Sequence, residues 1–279
     1  MEILITPRAM RSWRRAEGGT VGLVPTMGYL HEGHLTLVRR AVEENRRTVV
    51  SIFVNPTQFG PGEDFERYPR DEVRDLALLR ECGVDAVYLP SAVEMYPQDF
   101  QTVVDVEQVT QRLEGAARPG HFRGVTTIVL KLLNAVEPDR AYFGRKDAQQ
   151  LRVVQRMVED LNVPSEIVPC DIVREADGLA MSSRNVYLTP EQRAAVPVIN
   201  HALTEACARF DAGERSAPVI RSLVSELIAA EPLAAIEYVS LADDRTLDEL
   251  DGAIDRPVLL SVVIRFGQTR LLDNVELQP

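Results

Sequence analysis

Short runs rich in β-branched residues alternate with segments of helical periodicity from the start of this chain to about residue 177. The run TVVSIFVN, residues 48–55, is almost continuously apolar, which is typical of a strand buried on both faces. HLTLVRRAVEENRR, which begins at His34, instead places apolar residues three and four positions apart, as an amphipathic helix does. Further strands are predicted at VGLV, DAVYLP, RAYFG and SEIVPCDIV. This alternation predicts an α/β fold, a Rossmann-like parallel sheet with helices on both faces.

The pattern changes after about Asp177. Two helices are predicted over 189–210 and 217–231, followed by strands over 234–243, 256–267 and 269–277. We therefore expect two domains. Residues 1–176 form a Rossmann-like nucleotide-binding catalytic domain, and residues 177–279 form a smaller C-terminal α+β lid domain.

Charge and composition exclude several classes of function. The net charge of −11 argues against nucleic acid as a partner, because phosphate backbones are bound by basic surfaces. No apolar run is long enough to cross a bilayer or to form a signal peptide, and the three cysteines suggest neither a disulfide framework nor a metal site. A cytoplasmic location is the simplest expectation. Lys131 and Lys146 are the only lysines, so a ligand anion would need a locally cationic site.

The segment PTMGYLHEGH, residues 25–34, follows a predicted strand and opens a predicted helix. Gly28 and Gly33 permit a close approach of the backbone to a ligand. His31 and His34 are three residues apart and share one face of the first helical turn, where free N–H groups can bind phosphate. An ordinary glycine turn with two surface histidines explains the segment equally well.

Four other segments also lie at or near predicted strand ends. FGRKDAQQ (143–150) and GLAMSSRN (178–185) carry groups suited to phosphate, although a capped helix and a surface loop explain them as well. FVNPTQFGPGEDFERYPR (53–70) supplies neutral amides at Asn55 and Gln58 before a flap rich in Pro, Gly and acidic residues. RPGHFRGV (118–125) adds cations and a histidine just before a helix. No P-loop, GxGxxG, HExxH or nucleophile–His–Asp pattern accompanies them.

These five segments, in this order, resemble the pantothenate synthetase (pantoate–β-alanine ligase) family, which belongs to the nucleotidyltransferases with an HxGH motif. The resemblance covers most of the first 190 residues. It implies that ATP and (R)-pantoate form pantoyl adenylate with loss of pyrophosphate, and that β-alanine then displaces AMP. It also implies Mg²⁺ bound with ATP and a cytoplasmic homodimer.

The resemblance assigns roles to individual residues. It assigns catalysis to His34, His31 and Lys146, with His34 as the proton donor. The resemblance assigns pantoate binding to Gln58 and Gln150, and Asn55, whose amide lies at the same predicted strand end as Gln58, is expected to bind substrate as well. The nucleotide-binding set is Met27, Gly28, Tyr29, Leu30, His31, Glu32, Gly33, His34, Gly144, Arg145, Lys146, Asp147, Val173, Met181, Ser182, Ser183 and Arg184. Arg145 occupies a variable position of the motif, so its side chain receives no specific role. No residue is predicted to ligate a metal directly.

Two other functions compete with this hypothesis. A nucleotide or phosphopantetheine adenylyltransferase would use a phosphate as nucleophile and would need cations where this chain has Gln58 and Gln150. A nucleotide-binding regulator without turnover would be expected to lack Lys146 or one of the two histidines, and this chain keeps all three.

Overall fold

Six short strands form one sheet in the first part of the chain. They are β1 (Glu2–Leu4), β2 (Val21–Thr26), β3 (Arg47–Ile52), β4 (Ala86–Tyr88), β5 (Arg140–Gly144) and β6 (Glu166–Cys170). All neighbours pair in parallel, in the order β1-β4-β3-β2-β5-β6. The structure is a computed structural model that describes residues 1–279, and it confirms the predicted parallel sheet.

Helices cover both faces of this sheet. They are α1 (Pro7–Ala16), α2 (Glu32–Glu44), α3 (Glu72–Glu81), α4 (Ala92–Met95), α5 (Glu114–Ala117), α6 (His121–Val136) and α7 (Ala148–Asp160). Side chains of α1, α6 and α7 form one buried cluster against the sheet, and those of α2 and α3 form another. Adjacent strand residues divide between the clusters, since Val49 joins the first and Val50 the second. This is the two-faced burial that the β-branched run predicts.

The start of the chain contributes elements that the sequence analysis did not assign. β1 pairs with β4 at the sheet edge, and α1 follows at once. Thr6 caps α1 by accepting a hydrogen bond from the N–H of Ala9, while Met10 and Trp13 are buried. Strand β1 has only three residues, too few for a periodic pattern to reveal it.

The strand order creates a switch point between β2 and β5. From β2 the chain passes through α2 to β3 on one side, whereas from β5 it passes through α7 to β6 on the other. The two connections diverge, which leaves a crevice at the carboxyl ends of these strands, and ligands bind at such points in open α/β sheets. The segments after Thr26 and after Gly144 both begin there.

The remaining elements form a second compact unit. It contains α8 (Pro190–Ala195), α9 (Val198–Asp211) and α10 (Ala217–Ala229), and an antiparallel sheet of β7 (Ala234–Asp243), β8 (Val258–Phe266) and β9 (Thr269–Leu277). The helix predicted over 189–210 is in fact two, because Pro197 has no N–H with which to continue the helical hydrogen-bonding pattern beyond α8. Contacts assign 1–145 and 149–171 to the first unit, and 146–148 and 172–279 to the second. Residues 172–176, which the sequence analysis placed in the first domain, thus lie in the second unit.

Candidate active site

The turn from β2 into α2 has a backbone that few residues could adopt. Gly28 has φ +83°, and a Cβ there would lie 3.0 Å from Ile52 Cγ2 and 3.1 Å from Asp75 Oδ2. Tyr29 also has a positive φ, of 49°. Glycine is therefore required at position 28 both by conformation and by space.

Asp75, on α3, holds this turn in place. Its carboxylate accepts hydrogen bonds from the backbone N–H of Tyr29 at 2.6 Å and of Leu30 at 2.8 Å, and the residue is 1% exposed. Burial raises the pKa of the Asp75 carboxyl, and the two N–H donors offset that effect only in part. Asp75 lies outside every motif from which the site was predicted. The available signal was an acidic residue beside Leu76 on the buried stripe of a helix.

His31 and His34 lie together at the amino end of α2. His31 precedes the first helical residue, and the two ring centroids are 4.0 Å apart. The backbone N–H of His31 donates to Nδ1 of His34 at 3.4 Å. Because an N–H group can only donate, Nδ1 of His34 is unprotonated, and a neutral His34 carries its proton on Nε2. The Glu32 carboxylate accepts a hydrogen bond from the Arg39 guanidinium at 3.1 Å.

Asn55 is a buried residue whose amide is held from both sides. Oδ1 accepts from the backbone N–H of Thr57 at 3.4 Å and from Tyr96 Oη–H at 2.8 Å, while Nδ2 donates to the carbonyl of Gly124 at 3.1 Å. A backbone N–H can only donate and a carbonyl can only accept, so the orientation of the amide is determined.

The Asn55 amide in turn orients Gln58. Asn55 Nδ2 donates to Gln58 Oε1 at 3.0 Å. The oxygen of Gln58 therefore faces Asn55, and its Nε2 points the other way, 3.2 Å from Met27 Sδ. Two predicted site residues from separate loops, Met27 and Gln58, are thereby brought into contact.

The segment after β5 folds as predicted, with one distinction between its two glutamines. A 3₁₀ turn, Arg145–Asp147, leads from Gly144 into α7. Gln149 is buried and binds the backbone of the 109–114 loop, whereas Gln150 is half-buried and is the residue predicted to meet pantoate. The Arg145 guanidinium lies 3.5 Å from the exposed carboxylate of Asp171.

The second unit holds the other part of the predicted site. The N–H of Met181 donates to the carbonyl of Val173 at 3.0 Å, so these two residues are neighbours. Ser182 begins the 3₁₀ turn Ser183–Tyr187, and its Oγ accepts from the N–H of Arg184 at 3.3 Å. Lys146 belongs to this unit by its contacts, and its carbonyl accepts from Asn274 Nδ2 at 2.8 Å. Asn274, on β9, is a further supporting residue that the sequence did not indicate.

The structure shows no group of three or more His, Cys, Asp or Glu side chains placed to hold a metal ion. It also has no helix of the length and apolar character needed to cross a membrane.

A glycine turn and a histidine pair at the switch point of a parallel sheet define the chain as a nucleotide-binding α/β enzyme. The family model for pantoate-beta-alanine ligase matches residues 2–276. The chain therefore belongs to the pantoate–β-alanine ligase family and is a ligase that joins pantoate to β-alanine.

Individual relatives agree over the full length. The chain is 57% identical over 278 residues to the pantothenate synthetase of Roseiflexus castenholzii, with 100% of both chains covered. The pantothenate synthetase structure from Thermus thermophilus has a TM-score of 0.95 at 48% identity and covers 100% of both chains. A pantoate-beta-alanine ligase from Francisella tularensis, solved with beta-gamma ATP and beta-alanine, has a TM-score of 0.79 at 31% identity, with 99% of this chain and 97% of that chain covered.

Proposed function

We propose that this ligase works in two steps at the carboxyl ends of β2 and β5. A pantoate carboxylate oxygen attacks the α-phosphorus of ATP, which forms pantoyl adenylate and releases pyrophosphate. The β-alanine amine then attacks the acyl carbon, the bond to AMP breaks, and pantothenate forms. The Francisella relative, crystallised with an ATP compound and beta-alanine, supports these substrates.

The contact between Gln58 and Met27 carries this proposal. It places an amide donor directly beside the glycine turn at the switch point, where nucleotide phosphates are expected. Because Asn55 fixes the orientation of that amide, the group offered to a substrate is N–H and the substrate atom is an acceptor oxygen. Asn55 acts on pantoate through Gln58, since its own amide is already engaged.

The neutral amides suit the carboxylate nucleophile. A guanidinium or ammonium group in their place would pair with the pantoate carboxylate and lower its nucleophilicity. Gln58 and Gln150 can instead orient the oxygens of pantoate and leave the carboxylate reactive. Holding the carboxylate in line with the α-phosphorus supplies much of the rate enhancement.

The reaction also needs positive groups, because it brings a carboxylate to a triphosphate in a chain of net charge −11. We assign His34 as the donor of a proton or hydrogen bond to the departing phosphate, because its Nε2 carries the hydrogen. Lys146 supplies a point charge to the phosphates, with Arg184 and His31 in support. Such neutralisation in a desolvated site is worth several kcal/mol.

The other proposed contacts surround the nucleotide. Gly28 and Gly33 bring backbone N–H groups close to the phosphates, and Asp147 is directed to the ribose. The remaining nucleotide contacts are proposed for Met27, Tyr29, Leu30, Glu32, Gly144, Arg145, Val173, Met181, Ser182 and Ser183.

Magnesium fits as an ion carried by ATP. Mg²⁺ is usually held by substrate phosphates and one or two carboxylates, with water completing its shell. When bound, the ion neutralises phosphate charge, and the chain's own residues orient the reactants.

We further propose that the C-terminal domain acts as a lid, that the enzyme is a homodimer, and that it is cytoplasmic. A lid would protect the acyl adenylate from water. Sedimentation equilibrium would test the dimer, and a monomer at micromolar concentration would contradict it.

The assigned roles are tested by His34→Ala and Lys146→Ala. Each should lower pyrophosphate release from ATP and pantoate by about two orders of magnitude or more, because an electrostatic contact made in the transition state is lost. His201→Ala is a matched control, since that histidine is exposed on α9. His34→Ala and Lys146→Ala should both keep the wild-type circular dichroism spectrum. Rates near wild type in both would refute the assignment.

The order of the two steps is tested by isotope exchange between pyrophosphate and ATP. With pantoate alone, exchange should proceed, because adenylate formation does not require the amine. Exchange that depends strictly on β-alanine would refute a free adenylate intermediate.

A further inference from the structure

The segment Arg118–Val125 has no part in the chemistry described above, yet it lies directly behind Gln58. Helix α6 begins within it and packs against the 3₁₀ turn Pro56–Gln58. A Cβ on Gly124 would lie 2.4 Å from the Thr57 carbonyl oxygen and 2.7 Å from Gln58 Cα. The absence of a side chain at position 124 is therefore what allows the turn to reach its place.

His121 holds the backbone of Gln58. Its Nδ1 lies 2.8 Å from the Gln58 carbonyl oxygen, and its Nε2 lies 3.2 Å from Arg118 Nη1. A carbonyl can only accept and a guanidinium can only donate, so both ring nitrogens have determined roles. His121 is the neutral Nδ1–H tautomer, which donates to Gln58 and accepts from Arg118. Burial, and then the charge of Arg118, lower the pKa of His121 to about 4.

Arg118 ties the same carbonyl to the flap that follows it. Its Nη2 donates to the Gln58 carbonyl at 3.3 Å, and its Nε and Nη2 bind the two oxygens of Glu63 at 2.8 and 2.6 Å. The side chains of Arg118 and Glu63 are 16% and 25% exposed, so this pair is largely shielded from water. Only the forked guanidinium can reach the carboxylate, the carbonyl and the imidazole together, and a lysine could not.

We propose that Arg118 and His121 are positioning residues that hold Gln58 in the geometry pantoate requires. Gln58 is constrained at its side-chain oxygen by Asn55, at its carbonyl by His121 and Arg118, and at its Cα by Gly124. With the backbone anchored, the amide N–H keeps one direction at the glycine turn. The inference rests on the proposed role of Gln58 as a pantoate ligand.

His121→Leu and His121→Asn form the test pair. Leucine removes the donor, whereas the N–H of an Asn amide can replace Nδ1–H. We expect His121→Leu to raise the KM for pantoate about tenfold, the effect of one lost hydrogen bond to a buried carbonyl, and to leave the KM for ATP within about twofold. His121→Asn should stay within about threefold of wild type for both substrates. Initial rates of pyrophosphate release give all of these values.

The outcomes that overturn the inference are definite. A folded His121→Leu with an unchanged pantoate KM, or with equal increases in both KM values, would exclude a positioning role. So would a folded His121→Asn that resembles the leucine variant. If the leucine variant does not fold, Arg118→Lys provides the same test, because it keeps the charge but loses the fork. It should raise the pantoate KM several-fold and leave that for ATP unchanged, and any other result from it counts against the inference.

Gln58→Ala separates this inference from the proposed function. If Gln58→Ala leaves the pantoate KM unchanged, the pantoate contact itself is wrong. If Gln58→Ala raises that KM and neither His121→Leu nor Arg118→Lys does, the contact stands and the positioning inference alone fails.

Discussion

Gly124→Ala tests the geometry of the proposed pantoate site with a single added methyl group. The new Cβ would lie 2.4 Å from the Thr57 carbonyl oxygen and 2.7 Å from Gln58 Cα. Non-bonded heavy atoms settle at about 3.5 Å or more, so the turn that carries Gln58 must move by about 1 Å. Both atoms it meets belong to the backbone, so a rotamer change cannot relieve the contact.

The magnitude follows from opposing effects. Overpacking of this kind costs about 1–3 kcal/mol of unfolding free energy, and replacement of glycine by alanine inside a helix returns about 1 kcal/mol. The protein should therefore fold. A displacement of about 1 Å in a positioning group can reduce activity about 100-fold, and we expect kcat/KM for pantoate to fall by about 10- to 100-fold.

The assay is pyrophosphate release at varied pantoate and saturating ATP, with unfolding in urea as the measure of stability. Gly18→Ala is the matched control, because a Cβ there meets no atom within 4 Å. If Gly124→Ala retains kcat/KM for pantoate within about threefold of wild type, the contact between α6 and the Gln58 turn does not set the geometry of the site, and the reasoning is refuted.

Three other perturbations bear on the supporting residues. The pKa of His121 is lowered from 6.5 to about 4, so the unfolded chain takes up a proton that the folded chain refuses, and stability falls as pH falls through that interval. At pH 5 the unfolding free energy should be about 2 kcal/mol lower than at pH 7.5. Urea unfolding should show this loss in wild type but not in His121→Asn. Equal losses in the two proteins would contradict the prediction. Asp75→Asn turns an amide N–H₂ toward one of the two backbone N–H groups that the carboxylate now accepts from. It should lower the unfolding free energy by about 2–3 kcal/mol and also lower the rate of adenylate formation. Unchanged stability would show that the turn does not depend on the carboxylate. Asn274→Ala removes the hydrogen-bond donor to the Lys146 carbonyl. It should lower kcat for pyrophosphate release about fivefold and leave the KM for pantoate unchanged. An unchanged kcat would show that Lys146 does not need this hydrogen bond.

Local patterns predicted most of the fold correctly. Burial on both faces follows from runs such as TVVSIF, and the helix after His34 follows from its apolar spacing. Elements whose length gives no pattern were missed, as with Glu2–Leu4. Pro197 was also passed over as the divider of a predicted helix. The candidate site was predicted from motifs, and those motifs include Asn55 and His121, which the structure shows hydrogen-bonded to Gln58.

The sequence by itself determined the class of fold and the family to which the chain belongs, and it predicted the loops of the candidate site, because each of these depends on contiguous residues. Only the tertiary structure decided which partners orient those loops. Asp75 binds the glycine turn from 45 and 46 positions away, and His121 binds Gln58 from 63 positions away. The sequence does not distinguish a buried carboxylate or a neutral imidazole from an exposed one. Its role depends on donors and acceptors that only the strand order and helix packing bring within hydrogen-bonding distance.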